Sequence, residues 1–241
     1  MRTLLLILVL STAANAQSRR NSLSGPRCDT DTIVVGHDAI YAWSQELDGS
    51  ACRYFNGVEK AGTVRVEVDI RSGGYDAGVA RNTGPVKVDD ARDAPPLRAN
   101  LRIDLSGEGH WWAGPKFVIC REPEWVSLDG NWECYIIESA DLPPTELMAM
   151  MQATYRGRQV VNGRVYLHYT KPWESWQQAI AIRETYGDEP SMPFAPLVRY
   201  WRENLGVPNW YLHSPKVGLE TTGDIRGSFE WSNIQTTDIT Q

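Results

Sequence analysis

TVRVEVDIRSGG, residues Thr63–Gly74, alternates from its second residue onward. Val64, Val66, Val68 and Ile70 fall on one side of an extended chain, and Arg65, Glu67 and Asp69 on the other. Successive side chains of a strand point to opposite faces, so this segment is a strand with one buried and one wet face. LRANLRIDLSG (Leu97–Gly107) is a second strand, and GPKFVICRE (Gly114–Glu122) with GNWECYIIES (Gly130–Ser139) form a predicted antiparallel pair. In RQVVNGRVYLHYTK (Arg158–Lys171), Asn162-Gly163 lies between two β-branched runs, the signature of a two-residue type I′ hairpin. The last pair is NWYLHSPKVGLETTG (Asn209–Gly223) and GSFEWSNIQTT (Gly227–Thr237), with Pro215 predicting an edge position or a bulge.

Two segments leave the β pattern. Phe194, Leu197, Val198 and Trp201 recur near helical spacing before Gly206 and Pro208, which predicts a helix from Phe194 to Leu205 packed on a sheet. A shorter helix fits Thr145 to Gln152, and KPWESWQQAIAIRE (Lys171–Glu184) reads as a surface loop or short helix. Many short strands, regular turns and one late helix predict an all-β fold, a jelly-roll sandwich with a curved, concave sheet and one short packed α-helix.

The chain has 241 residues. Arg2, the apolar run Leu4–Leu10 and Ala14-Asn15-Ala16 read as a secretory signal peptide over residues 1–16, cleaved after Ala16. Residues 17–31 read as a mobile leader and 32–241 as a single domain. The product is expected to be secreted or periplasmic, soluble and monomeric. The formal net charge of −6 becomes −7 once Arg2 departs, and no basic run extends beyond Arg19-Arg20, so nucleic acid and anionic membrane are excluded as partners. Four cysteines in an exported chain predict disulfides, and three connectivities are open. Short loop closure favours Cys28–Cys52 and Cys120–Cys134, the alternative being buried free thiols.

Glu133 is the anomaly in the strand WECYII. It shares a face with Tyr135 and Ile137, while Cys134, Ile136 and Glu138 share the other. If the Cys134 side is the core, Glu133 and Tyr135 face the concave side, where a tyrosine hydroxyl could hold a nucleophilic carboxylate. Glu220 stands similarly alone in KVGLETTG, with Gly218 and Thr222 leaving room above the strand for a ligand. A carboxyl there could protonate a leaving group. Two carboxylates in a sugar-sized cleft are the minimum for glycoside hydrolysis, yet most of the 30 acidic residues are simply solvated, and a strand Glu is more often a wet-face charge.

WECYIIES resembles the nucleophile strand of the family 11 glycoside hydrolases, the xylanases: Glu, two aromatics, two aliphatics and an acid, with Cys134 the departure in its core. It is also similar to the Glu-Ile-Met-aliphatic-Trp strand of family 12, the endoglucanases and xyloglucanases. Phe194–Ile234 resembles the helix, acid/base strand and final strand of family 12. Together these segments cover about a fifth of the chain. The two families form one clan, clan C, with a β-jelly-roll fold and a retaining double-displacement mechanism. The resemblance implies that Glu133 is the nucleophile and Glu220 the acid/base, that the substrate is a β-linked polysaccharide cut internally, and that no cofactor is needed. It also implies a Cys28–Cys52 disulfide. The Asn-x-Trp-Gly segment and Trp-rich second strand of family 12 are missing, and the stretch around Leu142–Gly157 has no counterpart.

Ten tryptophans offer sugar-stacking platforms or core filling. Candidates for substrate contact are Tyr135, Trp111, Trp112, Tyr169 and Trp173, with Trp176 beside them. Trp111 and Trp112 are neighbours, so at most one lines the cleft. Trp132, Trp210 and Trp231 are assigned to packing. Glu138, placed at a strand end in reach of solvent, and Glu230 are rival carboxylates. The four histidines show no metal-ligand spacing, so no metal is expected. Rival readings are a non-catalytic carbohydrate-binding sandwich, a polysaccharide lyase on a similar fold, and a structural envelope protein.

Overall fold

The computed structural model describes residues 28, 33–35, 38–56, 63–81, 86–90, 97–124, 127–187 and 194–236. The expected signal segment lies outside them, as does the leader apart from Cys28. The elements are β1 (Ile33–Val35), β2 (Asp38–Asn56), β3 (Thr63–Arg81), β4 (Val86–Lys87), β5 (Leu97–Ser106), β6 (His110–Cys120), β7 (Trp132–Ile137), β8 (Ser139–Ala140), α1 (Pro144–Met150), β9 (Thr154–Val161), β10 (Arg164–Pro172), β11 (Gln177–Arg183), α2 (Phe194–Asn204), β12 (Tyr211–Thr222) and β13 (Ile225–Thr236).

An inner sheet runs β1-β2-β3-β12-β6-β7-β11-β10-β9, and β13 pairs with β3 and β5 in an outer layer. The long β2–β3 hairpin belongs to both. Its Val64–Ile70 half pairs with β13 and its Gly74–Ala80 half with β12. The fold between the halves lies at Gly73, whose φ is +93° and where a Cβ would stand 2.4 Å from the Glu46 carbonyl oxygen, so the end of the TVRVEVDIRSGG stretch needs glycine. Opposite it, the β2 register slips between Gln45 and Gly49. Only β7 and β11 pair in parallel among the described strands.

Each layer buries one face. The alternating Val64, Val66, Val68 and Ile70 pack with Phe229 and Trp231 of the outer layer and Val217 and Leu219 of the inner sheet. Beyond the reach of the outer layer, α2 takes over. Its Phe194, Leu197, Val198 and Trp201 cover Phe117, Cys134, Ile136 and Ala181 on the convex side of the inner sheet. The expected helix is therefore present and ends one residue early, and the shorter helix is present as α1. The Asn162-Gly163 hairpin forms with both residues at positive φ, 50° and 76°. The β12 register shifts between His213 and Lys216, the bulge that Pro215 predicts. Lys171–Glu184 is not a helix: it is the end of β10, a tight connection and β11.

Cys28 and Cys52 form the expected disulfide. Cys120–Cys134 is a correction, because both are buried free thiols. The reason is strand parity. Cys134 packs with Phe117 and Ile119 toward α2, whereas Cys120 has the parity of Lys116 on the opposite face of β6. Denatured but unreduced protein should therefore titrate with two thiols per chain against a chromogenic disulfide reagent, and with four after reduction. Zero thiols before reduction would contradict this pairing.

Candidate active site

The concave face of the inner sheet carries the residues that alternate away from the core. On β7 these are Glu133 and Tyr135. Register then sets their neighbours: Lys116 lies across from Tyr135 on β6, and Gln178 across from Glu133 on β11. Glu220 on β12 is flanked in one cross-strand row by Trp112 on β6 and Asp76 on β3, and Trp43 on β2 continues that row beyond Asp76. Residues 87 positions apart in sequence, Glu133 and Glu220, thus meet because β6 alone separates their strands.

The Tyr135 hydroxyl joins them. It donates to Glu133 Oε1 at 2.8 Å and stands 3.2 Å from Glu220 Oε1. The two carboxylate oxygens are therefore no more than 6.0 Å apart, the sum of 2.8 and 3.2 Å. Gln178 Nε2 donates to Glu133 Oε2 at 2.7 Å, so both oxygens of Glu133 accept hydrogen bonds and its plane is fixed. The Lys116 ammonium contacts Glu220 Oε1 and reaches Asp76 Oδ2 at 2.5 Å. The Tyr41 hydroxyl donates to Asp76 Oδ1 at 3.1 Å.

Burial sets the electrostatics. It pushes the Glu220 carboxyl up, Lys116 opposes that push, and Asp76 and Glu133 reinforce it. Burial also opposes the charge on Lys116, but the Asp76, Glu220 and Glu133 carboxylates more than offset it, so the ammonium holds its proton more tightly than an ordinary lysine. Tyr135 is pushed up by burial and by the Glu220 and Glu133 charges, which keeps its hydroxyl a neutral donor. Glu220 Oε1 is occupied by Lys116 and Tyr135, and Oε2 has no protein partner among the described residues. That second oxygen can carry and deliver a proton. The set can thus present one oriented carboxylate and one proton-bearing carboxyl to a group between them.

The other candidates divide. Trp112 lies on the concave face beside Glu220 and packs toward Tyr135 and Ile137, whereas Trp111 packs against the core between the layers and is withdrawn from the cleft. Tyr169 is on the concave face but buried, with Tyr155 edge-on at 5.4 Å. Trp173 is 43% exposed in the β10–β11 connection and stacks on Trp176 at 5.0 Å. Leu147 and Met148 of α1 press on Tyr135, Tyr169 and Ile180, so the Leu142–Gly157 stretch walls one flank of the concave face. Glu138 is not solvated as expected: it is fully buried, and Tyr166 donates to it at 2.7 Å. Glu230 faces away, on β13 between Arg65 and Arg102. The space above Gly218 is not free for a ligand, since a Cβ there would meet the Tyr41 hydroxyl at 2.0 Å. Glycine at 218 lets Tyr41 cross to Asp76. Trp132 and Trp231 are buried in the core and Trp210 is half-buried against it. His168 is a core residue: it accepts from Trp201 at 2.9 Å, and burial pushes its pKa down to about 4. Among the described residues no cluster of three or more His, Cys, Asp or Glu could hold a metal.

Sequence reasoning missed Tyr41, Trp43, Asp76, Lys116 and Gln178. Lys116 had the same signal as Glu133, a charge inside a buried strand, between Pro115 and Phe117. Asp76 continues the concave parity past Gly73-Gly74, and Trp43 is 51% exposed although its strand neighbours Ile40 and Ala42 are buried.

No protein-family profile matches the chain, and no curated protein sequence does. Solved structures do match. The family 11 xylanase of Neocallimastix patriciarum superposes with a TM-score of 0.69 at 14% identity, covering 88% of this chain and 99% of its own. The fold is that of the family 11 and family 12 glycoside hydrolases. Endoglucanase 3 of Trichoderma harzianum, from family 12, gives 0.71 at 17% identity over 90% of this chain and 97% of its own. A thermostable cellulase derived from that of Rhodothermus marinus gives 0.65 at 15% identity over 88% and 98%. The chain thus has the β-jelly-roll fold of the two families that its WECYIIES strand and its Phe194–Ile234 segment resemble.

Proposed function

We propose that this protein is an exported, endo-acting, retaining glycoside hydrolase that works as a single chain on a β-linked polysaccharide. β-1,4-Glucan or xyloglucan is the first substrate expected and xylan the second. The observation that carries the reading is the single Tyr135 hydroxyl shared by Glu133 and Glu220, which limits their facing oxygens to 6.0 Å. Retaining enzymes hold their carboxyls about 5–5.5 Å apart, and inverting enzymes need ~6.5–9.5 Å to admit a water. Glu133, oriented by Tyr135 and Gln178, attacks the anomeric carbon as Glu220 protonates the departing oxygen. Water then opens the glycosyl-enzyme with Glu220 acting as base. The signal-like sequence expected at residues 1–16 and the Cys28–Cys52 disulfide fit an oxidising destination.

Polar atoms left over on the concave face fit sugar hydroxyls. Gln178 Oε1 and Trp112 Nε1 are buried with no protein partner among the described residues, and buried polar atoms are normally paired. Trp43, exposed in the Asp76–Glu220 row, offers a ring face for stacking. Trp43→Ala should raise KM several-fold, on the order of the 0.5–1.5 kcal/mol that an aromatic stack supplies, with kcat changed less. An unchanged KM would remove Trp43 from the cleft.

The test is a reducing-end assay over glucan, xyloglucan, xylan and mannan, with the first-formed anomer read by proton NMR. Cleavage giving the β-anomer first supports the proposal. Release of the α-anomer first would mean inversion and a different use of the two carboxylates. Polymer binding without cleavage would favour a carbohydrate-binding module.

A further inference from the structure

Lys116 is the shared counter-ion of Asp76 and Glu220, contacting both directly, and it lies over the Tyr135 ring at 5.1 Å. A second lysine, Lys216, stands directly across from Lys116 in the β12–β6 register. It shares its face of β12 with Gly218 and Glu220, so it belongs to the same concave surface. Like charges at directly opposed strand positions are destabilising. No direct contact offsets this, since among the described residues Lys216 makes no ion pair within 4.0 Å, and the Asp76, Glu133 and Glu220 carboxylates act on it only from farther away. Its ammonium lies 4.7 Å from the centre of the Tyr41 ring, a contact that steadies the cation without neutralising it. Burial pushes its pKa down; Asp76 opposes this, Lys116 adds to it, and Glu133 and Glu220 oppose it more weakly, so the carboxylates reduce the shift without reversing it.

A neutral glycan offers such a cation only hydroxyls. A carboxylate would supply the missing charge and accept a charge-assisted hydrogen bond. We propose that Lys216 is the anchor of a carboxylate-binding subsite beside the catalytic pair, and that the polysaccharide cut here carries uronic acid. This rests on the glycanase reading and narrows it. Uronate could enter as a branch or as a unit of the main chain, and both present the same carboxylate.

The experiment measures kcat/KM of the full chain on two matched pairs of polymers. One pair is a β-1,4-xylan bearing glucuronate branches and the same xylan after its carboxyls are reduced to alcohols. The other is a β-1,4-glucan oxidised to glucuronate along its main chain and its unoxidised parent. The expected result is a preference of at least about tenfold for the acidic member of one pair, the scale of one hydrogen bond to a charged group. That preference should weaken with salt, collapse in Lys216→Met and survive in Lys216→Arg. The pair that shows it identifies branch or main chain as the source. Equal cleavage within both pairs, or a preference that persists in Lys216→Met, overturns the subsite and leaves the glycanase standing. No cleavage of any polymer overturns the glycanase reading instead. Affinity electrophoresis in gels cast with each polymer then decides the subsite alone: Lys216-dependent retardation by the acidic polymers supports it, and equal mobility in acidic and neutral gels overturns it. Cleavage of an acidic polymer to ultraviolet-absorbing, unsaturated ends keeps the subsite and replaces hydrolysis by elimination.

Discussion

Glu133→Gln should abolish polysaccharide cleavage, lowering kcat by roughly 10⁴-fold or more, the scale seen when a covalent nucleophile is removed. The amide is nearly isosteric and can still accept from Tyr135 or Gln178, so the cleft keeps its shape. Polymer binding should therefore survive, as read by affinity electrophoresis, and the thermal midpoint should stay close to that of the parent. The chemical step fails because an amide is a poor nucleophile at the anomeric carbon. Rescue by azide, yielding a glycosyl azide, should be better in Glu133→Ala, where the missing side chain leaves room for the small anion. Activity that persists in Glu133→Gln, after exclusion of deamidation, would place the nucleophile elsewhere.

Lys116→Met should have the largest effect on stability among single changes in the cleft. Lys116 is 7% exposed, as is Asp76, and Glu220 is also largely sequestered. Removing one member of a buried ion pair leaves an uncompensated charge and costs about 3–5 kcal/mol. The sign of its pH dependence follows from the shifts. Lys116 has a raised folded pKa, so its stabilisation is present below the ordinary lysine pKa of about 10.4 and is lost only as pH rises through the folded value. Without it the Glu220 carboxyl, already raised by burial, rises further. A raised carboxyl favours the folded state below the unfolded glutamate value of about 4.3, and that contribution is lost as pH climbs through the folded value. The deficit of Lys116→Met should thus be full at neutral pH and shrink in acid. A denaturation series over pH would show it, and a pH-independent deficit would contradict the ion-pair account. Activity carries a second signature. The alkaline limb of kcat/KM reports the acid that must be protonated. That limb should move up by about one pH unit in Lys116→Met, equivalent to ~1.4 kcal/mol of lost pairing. Lys116→Arg should keep most of the wild-type limb. A limb that does not move would detach Glu220 from the acid role.

The strands were legible because alternation is a local property. Thr63–Gly74 and Arg158–Lys171 state their faces and their turn in consecutive residues. The amphipathic spacing of Phe194, Leu197, Val198 and Trp201 did the same for α2. What failed was any inference that needed two strands at once. Cys120 and Cys134 look like partners along the chain, but parity sends them to opposite faces of the sheet. Glu138 reads as a strand-end charge, but Tyr166, 28 residues away, comes to meet it in the interior. Gly218 reads as ligand space until Tyr41 is laid across it from β2.

By itself the sequence determined the β architecture, the face on which Glu133 and Tyr135 stand, and the solitary placing of Glu220. Period and parity carry that information within a few residues. Only the tertiary structure decided that Glu133 and Glu220 share one hydroxyl, that Lys116 and Asp76 stand with them, and that Lys216 lacks an anionic partner among the described residues. Those facts depend on strand order and register, which place β12, β6 and β7 side by side. Register is a property of pairs of strands, and no single strand encodes its neighbour.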